Sequence, residues 1–198
     1  MSNIQRLNIL LLGVLSLSFA SCNSEAPVLE NDRELITDLI LTFVEVNQTI
    51  TPIAPPLYFK ASDSQGIGIG GSPTIEAITL DRNKTYLMTI QVLNSIENID
   101  ITENIIKEAD QHQFYFLGPA FSSNIIAISY VDPSGKSIGL RNILSTTNSP
   151  DTNNTIWRIV LRHDLDKKFL GASSPNFENF VQAGGETDLD ITFPVILN

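Results

Sequence analysis

Only two side chains in this sequence are imidazoles, His112 and His163. His112 follows Glu108 by four residues, the spacing that puts two side chains on one face of a helix. A carboxylate and an imidazole one turn apart can ligate a single divalent metal. They can equally form an ion pair at a helix C-terminus, where an imidazolium is favoured by the dipole. His163 closes the run Trp157–His163, in which Trp157, Ile159, Leu161 and His163 alternate onto one face of a strand. It is therefore either a hydrogen-bonded residue at the edge of a core or a ligand. If the two element ends meet, His112 and His163 with Glu108 or Asp164 would make a three-ligand site for a divalent metal, the one cofactor the sequence suggests. The other face of that strand carries Arg158 and Arg162. In Gly184–Phe193, Glu186, Asp188 and Asp190 share a face opposite Leu189, Ile191 and Phe193. Such a carboxylate stripe can bind Ca²⁺ or pair with arginines across strands.

Other chemistry is thinly represented. Gly66, Gly68 and Gly71 spell G-x-G-x-x-G, but a Ser72-Pro73 turn and a strand pattern follow where a dinucleotide site needs a helix. Position 91, where the ribose-binding acid would fall, is Gln91. No G-x-S-x-G and no H-E-x-x-H occurs. No carboxylate pair stands out for glycoside hydrolysis, so no catalytic residue is assigned. A hydrolase remains the enzymatic alternative to a binding protein.

The single cysteine, Cys22, ends an N-terminal pattern: a polar start with Arg6, an apolar run from Ile9 to Ala20, then small residues. The apolar run is shorter than the roughly 20 residues that span a bilayer and suits the core of a secretory signal. Phe19-Ala20-Ser21-Cys22 resembles the lipobox of bacterial lipoprotein signal peptides, with Phe19 where leucine is usual. The resemblance implies cleavage before Cys22 and a diacylglyceryl thioether on its sulfur. The chain then divides into a signal peptide over 1–21, an acidic tether over 22–34 and a folded domain over 35–198. Acyl chains contribute about 0.8 kcal/mol per buried methylene, which makes such an anchor lasting.

The chain carries 22 acidic and 12 basic residues, a formal charge of −10. With no basic patch, nucleic acid is not an expected partner, and anionic lipid attracts the domain no better. From Glu34 onward the dominant hydrophobic period is two, the mark of half-buried strands. Leu39, Leu41 and Phe43 share one face, and Phe114 and Phe116 another. Asp81–Lys84 reads as a hairpin loop between two strand patterns. Asp132-Pro133-Ser134-Gly135 reads as a turn. About nine strands result, and the expected fold is an all-β antiparallel sandwich, immunoglobulin-like or jelly-roll-like. One segment, Asp100–His112, has helical spacing, with Asp100 and Glu103 placed for a capping box.

The pieces "AITLDRNKTYLMTIQVLN", "DITENIIKEADQHQFYF", "IGLRNIL", "VLRHDLDKK" and "GGETDLDITFPV" span Ala77 to Val195. In order and wording they resemble an uncharacterised family of Gram-negative envelope lipoproteins. Some members carry the label of the type 1 periplasmic-binding fold superfamily. That label implies alternating strands and helices, against the period-two pattern here. The resemblance implies association with TonB-dependent outer-membrane receptors. The expected function is a lipid-anchored binding module of the outer membrane, an accessory to nutrient or metal uptake without catalysis. A structural or adhesive surface domain is the alternative.

Overall fold

The computed structural model describes residues 35–68, 71–133 and 135–198. The expected signal peptide, Cys22 and the expected tether lie outside the described residues.

Strands alternate apolar and polar side chains, and their apolar faces meet in one core. The first sheet has the order β3-β2-β1-β5-β9-β8. Its members are β1 (Asp38–Glu45), β2 (Leu57–Ser62), β3 (Thr74–Ile75), β5 (Thr85–Asn94), β8 (Ile126–Tyr130) and β9 (Arg141–Thr146). A two-residue strand, β6 (Ile99–Asp100), also pairs with β5. The second sheet has the order β4-β11-β10-β7, built from β4 (Ile78–Leu80), β7 (Gln113–Leu117), β10 (Asn154–His163) and β11 (Glu186–Leu197). Leu39, Leu41, Phe43, Met88 and Val92 of the first sheet pack against Phe114, Phe116, Trp157, Ile159 and Phe193 of the second. The sandwich is thus all-β, as its alternation predicts, with eleven strands among the described residues.

Two local expectations are corrected. Asp81–Lys84 does not close a hairpin. Ile78–Leu80 joins the second sheet as a parallel partner of Val195–Leu197, whereas β5 pairs with β1 and β9 in the first. The loop therefore crosses between sheets, and beside β11 Ile78 and Leu80 stand buried in the shared core. The expected helix over Asp100–His112 shrinks to α1 (Thr102–Lys107). Asp100 is a strand residue paired with Leu93, and Thr102 is tied sideways to β5, its hydroxyl accepting from Val92 N at 2.8 Å. No side-chain capping hydrogen bond forms. Asp100 instead accepts from the Thr102 amide at 3.0 Å. Two further short helical turns, α2 (Pro119–Ser122) and a 3₁₀ turn at Phe180–Ala183, carry no periodic signal long enough to read.

The segment between β10 and β11 folds over the outer face of the second sheet. Leu165, Ala172, Phe180 and Ala183 form a second apolar cluster with Tyr115, Leu117 and Val160. Phe180 stacks on Tyr115 at 5.6 Å. The amide of Phe116 donates to Pro175 O at 2.8 Å, and Asn176 Nδ2 to Phe116 O at 2.5 Å, so the segment covers the free edge of β7. This makes β7 buried on both faces along its whole length.

The turn at Asp132 forms as expected, Gly135 N donating to Asp132 O at 3.0 Å. The Asp132 carboxylate then gathers the loop that follows. It accepts from Ile138 N at 3.1 Å, Gly139 N at 2.8 Å and Arg141 N at 3.0 Å. Asp132→Ala would strand these amides, two of them in buried bonds. It is expected to cost about 2 kcal/mol, read as a lower urea midpoint with an unchanged m value.

Candidate functional site: an imidazole–carboxylate cluster

Three features of the chain bring its two histidines together. β10 keeps its alternation to the end, so His163 continues the core-facing row of Trp157, Ile159 and Leu161. β11 enters opposite it with a bulge: Leu161 pairs with Leu189, but Arg162 pairs with Thr187 and His163 with Glu186, which leaves Asp188 as the extra residue. On the far side, the turn after α1 is sewn to the start of the covering segment. Leu165 N donates to Gln111 O at 3.3 Å, and Lys167 Nζ to Ala109 O at 2.6 Å and Ser137 O at 2.9 Å. Burial pushes the Lys167 ammonium down to about 8, against the pull of Asp110 and Asp132. His112 is thereby held against the end of β10.

The two imidazole centroids stand 5.9 Å apart. Asp188 lies between them. Its Oδ1 is 2.6 Å from His163 Nδ1, and its Oδ2 is 3.8 Å from His112 Nε2. Its side chain is 12% exposed, and that of His112 11%. His112 Nδ1 is 3.3 Å from the carbonyl of Glu108. That carbonyl already accepts from the Gln111 and His112 amides; a proton on Nδ1 would add a third bond to it and leave a lone pair on Nε2, on the side of Asp188. A carboxylate only accepts, so His163 donates from Nδ1 to Asp188 and keeps a lone pair on Nε2, which is 3.6 Å from Asp164 Oδ2. The arrangement at His163 is that of an imidazole oriented through its second nitrogen, as around bound metals.

The expected residues fare unequally. His112 and His163 do meet, and Asp164 stands on the lone-pair side of His163. Glu108 stands on the wrong side of His112: its Oε2 is 3.6 Å from Nδ1, and its side chain is 59% exposed. The carboxylate stripe of Glu186, Asp188 and Asp190 does not assemble. The bulge turns Asp188 to the histidines, while Asp190 makes a two-pronged pair with Arg158 at 2.8 and 2.5 Å. Period-two reading missed Asp188 as a partner of the histidines because one extra residue reverses the face of everything before it.

Behind the cluster, Arg162 is 5% exposed. It donates to Thr187 Oγ1 at 2.6 Å, Gly184 O at 2.6 Å and Gly185 O at 2.5 Å, over the ring of Phe180. Burial pushes its guanidinium below its ordinary value, against the opposing pull of Tyr115, Asp188 and Glu186.

Among the described residues, no three His, Cys, Asp or Glu side chains already stand where they would hold a metal ion. The reason is visible at His163 and Asp188. Two tetrahedral zinc ligands lie roughly 3.3 Å from each other at bond lengths of about 2.0–2.1 Å, so atoms at 2.6 Å are hydrogen-bonded rather than co-ligating. The donor chemistry nevertheless suits a borderline divalent cation, with two imidazoles and adjacent carboxylates in an acidic protein. The class defined by fold and site is thus an all-β sandwich with a half-buried His–Asp–His cluster at one end. No protein-family model, no curated protein and no solved structure matches the chain.

Proposed function

We propose that the protein is a lipid-anchored binding module of a bacterial outer membrane, an accessory to nutrient or metal uptake that performs no catalysis. Its cargo site for a divalent transition metal is the cluster of His112 and His163, with Asp164 as the third donor and Asp188 orienting the His163 ring. Glu108 joins only if the His112 ring turns over. The observation that supports this site is the convergence of the chain's only two histidines on one half-buried carboxylate. The envelope setting rests on Cys22 and its lipobox-like surroundings, and a TonB-dependent receptor as partner rests on the family resemblance.

The test uses the full chain in detergent. Zinc or nickel, titrated calorimetrically, is expected to bind with one-to-one stoichiometry. His112→Ala/His163→Ala is expected to weaken it at least 100-fold. Bound zinc at 100 times its dissociation constant would stabilise the fold by about 2.7 kcal/mol. Equal binding by the double variant, or no saturable binding, refutes the metal site. An unmodified Cys22 thiol in the mass spectrum of membrane-extracted protein refutes the anchor.

A further inference from the structure

A second hollow, at the end of the first sheet where β1 begins, has a different chemistry. It is an open hollow of about 390 Å³, and Thr37, Asp38, Lys60, Ser62, Thr74 and Ser95 are among the residues that line it. That volume falls in the range of small-molecule sites, roughly 300–1,000 Å³. Asp38, only 4% exposed, forms its floor. Thr37 Oγ1 donates to it at 2.6 Å, Lys60 Nζ at 2.5 Å, and Ser95 Oγ donates as well. Burial alone would raise this carboxyl; the hydrogen bonds from Lys60, Ser95 and Thr37, with the Lys60 charge, hold it below its ordinary value instead. The floor is therefore a fixed ion pair whose charges cancel.

Above it the groups are hydroxyls open to solvent. Ser62 and Thr74 stand directly opposite each other on β2 and β3. Their hydroxyls, and that of neighbouring Ser64, make no hydrogen bond among the described residues. Among the described residues Lys60 Nζ bonds only Asp38, which leaves ammonium protons to donate. Ile96, 61% exposed, supplies an apolar wall.

This combination selects its ligand class. An anion gains little from a lysine already neutralised by Asp38, on a chain of charge −10. A cation gains as little from the neutralised aspartate. A neutral ligand bearing several hydroxyls matches, since each sugar hydroxyl both donates and accepts, as serine and threonine hydroxyls do, while its C–H face can rest on Ile96. We infer that this hollow binds a neutral saccharide, a hexose or a hexose disaccharide. The site is separate from the imidazole cluster and does not depend on the metal reading.

The experiment is a methyl NMR titration of the full chain in detergent, labelled at threonine and isoleucine, with glucose, galactose, maltose and lactose. Saturable shifts of the Thr37, Thr74 and Ile96 methyls are expected with at least one of these sugars, with a dissociation constant on the order of 1 mM. Ser62→Ala/Thr74→Val removes these two hydroxyls while keeping their volume, so the fold persists. It is expected to weaken binding at least tenfold. Inorganic phosphate should leave the same methyls unmoved, and His112→Ala/His163→Ala should bind sugar like the parent. The inference fails if no sugar shifts these methyls, if phosphate shifts them more, or if Ser62→Ala/Thr74→Val binds unchanged. It also fails if the histidine variant loses the response, which would move the ligand to the imidazole cluster.

Discussion

Gly185→Ala is expected to lower the stability of the fold by about 3 kcal/mol or more and to break the His163–Asp188 contact. The Cβ atom would stand 2.1 Å from the carbonyl oxygen of His163 and 2.9 Å from the carbonyl carbon of Asp164. Both are backbone atoms at the end of β10 and cannot swing aside. The residue also has φ +71°, where an L side chain is strained. Gly184 is the internal control. Its φ is +79° and its ψ −160°, but a Cβ there meets nothing within 4 Å, so Gly184→Ala should cost only the backbone strain of about 1–3 kcal/mol. Urea unfolding of the two variants separates overlap from strain, and the imidazole resonances report the state of His163. Equal stabilities would mean that the close approach of Gly185 to β10 does not hold the cluster together.

Trp157→Ala should be the most damaging change in the core, at about 4 kcal/mol. Trp157 is fully buried and meets Phe43, Phe116 and Phe121 edge-on at 6.1, 5.7 and 5.1 Å. It links both sheets through one ring system. Among the described residues its indole Nε1 has no hydrogen-bond partner. Phenylalanine therefore forfeits no hydrogen bond there, and removing a stranded donor offsets part of the lost packing. Trp157→Phe should accordingly cost under about 2 kcal/mol. The measurement is far-UV circular dichroism against urea, since Trp157 is the only tryptophan and fluorescence disappears with it. A loss in Trp157→Phe as large as in Trp157→Ala would show that Nε1 does contribute a bond.

Along the strands, the sequence was readable where one rule acts alone. Leu39, Leu41 and Phe43 alternate inward because β1 is buried on one face, and their exposures are all 0%. The turn at Asp132–Gly135 needed only its own four residues. Reading failed where a second partner intervened. Thr102 bonds to β5 across the sheet and shortens a helix that local spacing would extend. Ile78–Leu80 prefers the edge of β11 to its neighbour in sequence. The outer cluster around Tyr115 could not be foreseen either, because β7 is covered on its second face by a segment some fifty residues distant.

The candidate site divides in the same way. His112 and His163 stand out by type, but only the place of His163 at the end of β10 follows from local periodicity; His112 lies beyond the end of α1, in a turn held by Leu165 and Lys167. Asp188 is not placed by periodicity either, because its direction depends on a bulge between β10 and β11 rather than on its neighbours. The hydroxyl-lined hollow was silent in the sequence, since Thr37, Lys60, Thr74 and Ser95 belong to four separated stretches of ordinary polar residues. Residue type and periodicity alone thus determined an acidic, strand-built domain and the two imidazoles available for binding. Tertiary structure alone decided which carboxylate those imidazoles face and which hydroxyls gather around Asp38. Strand register and sheet crossing are set by burial summed over distant partners, which no local window of sequence contains.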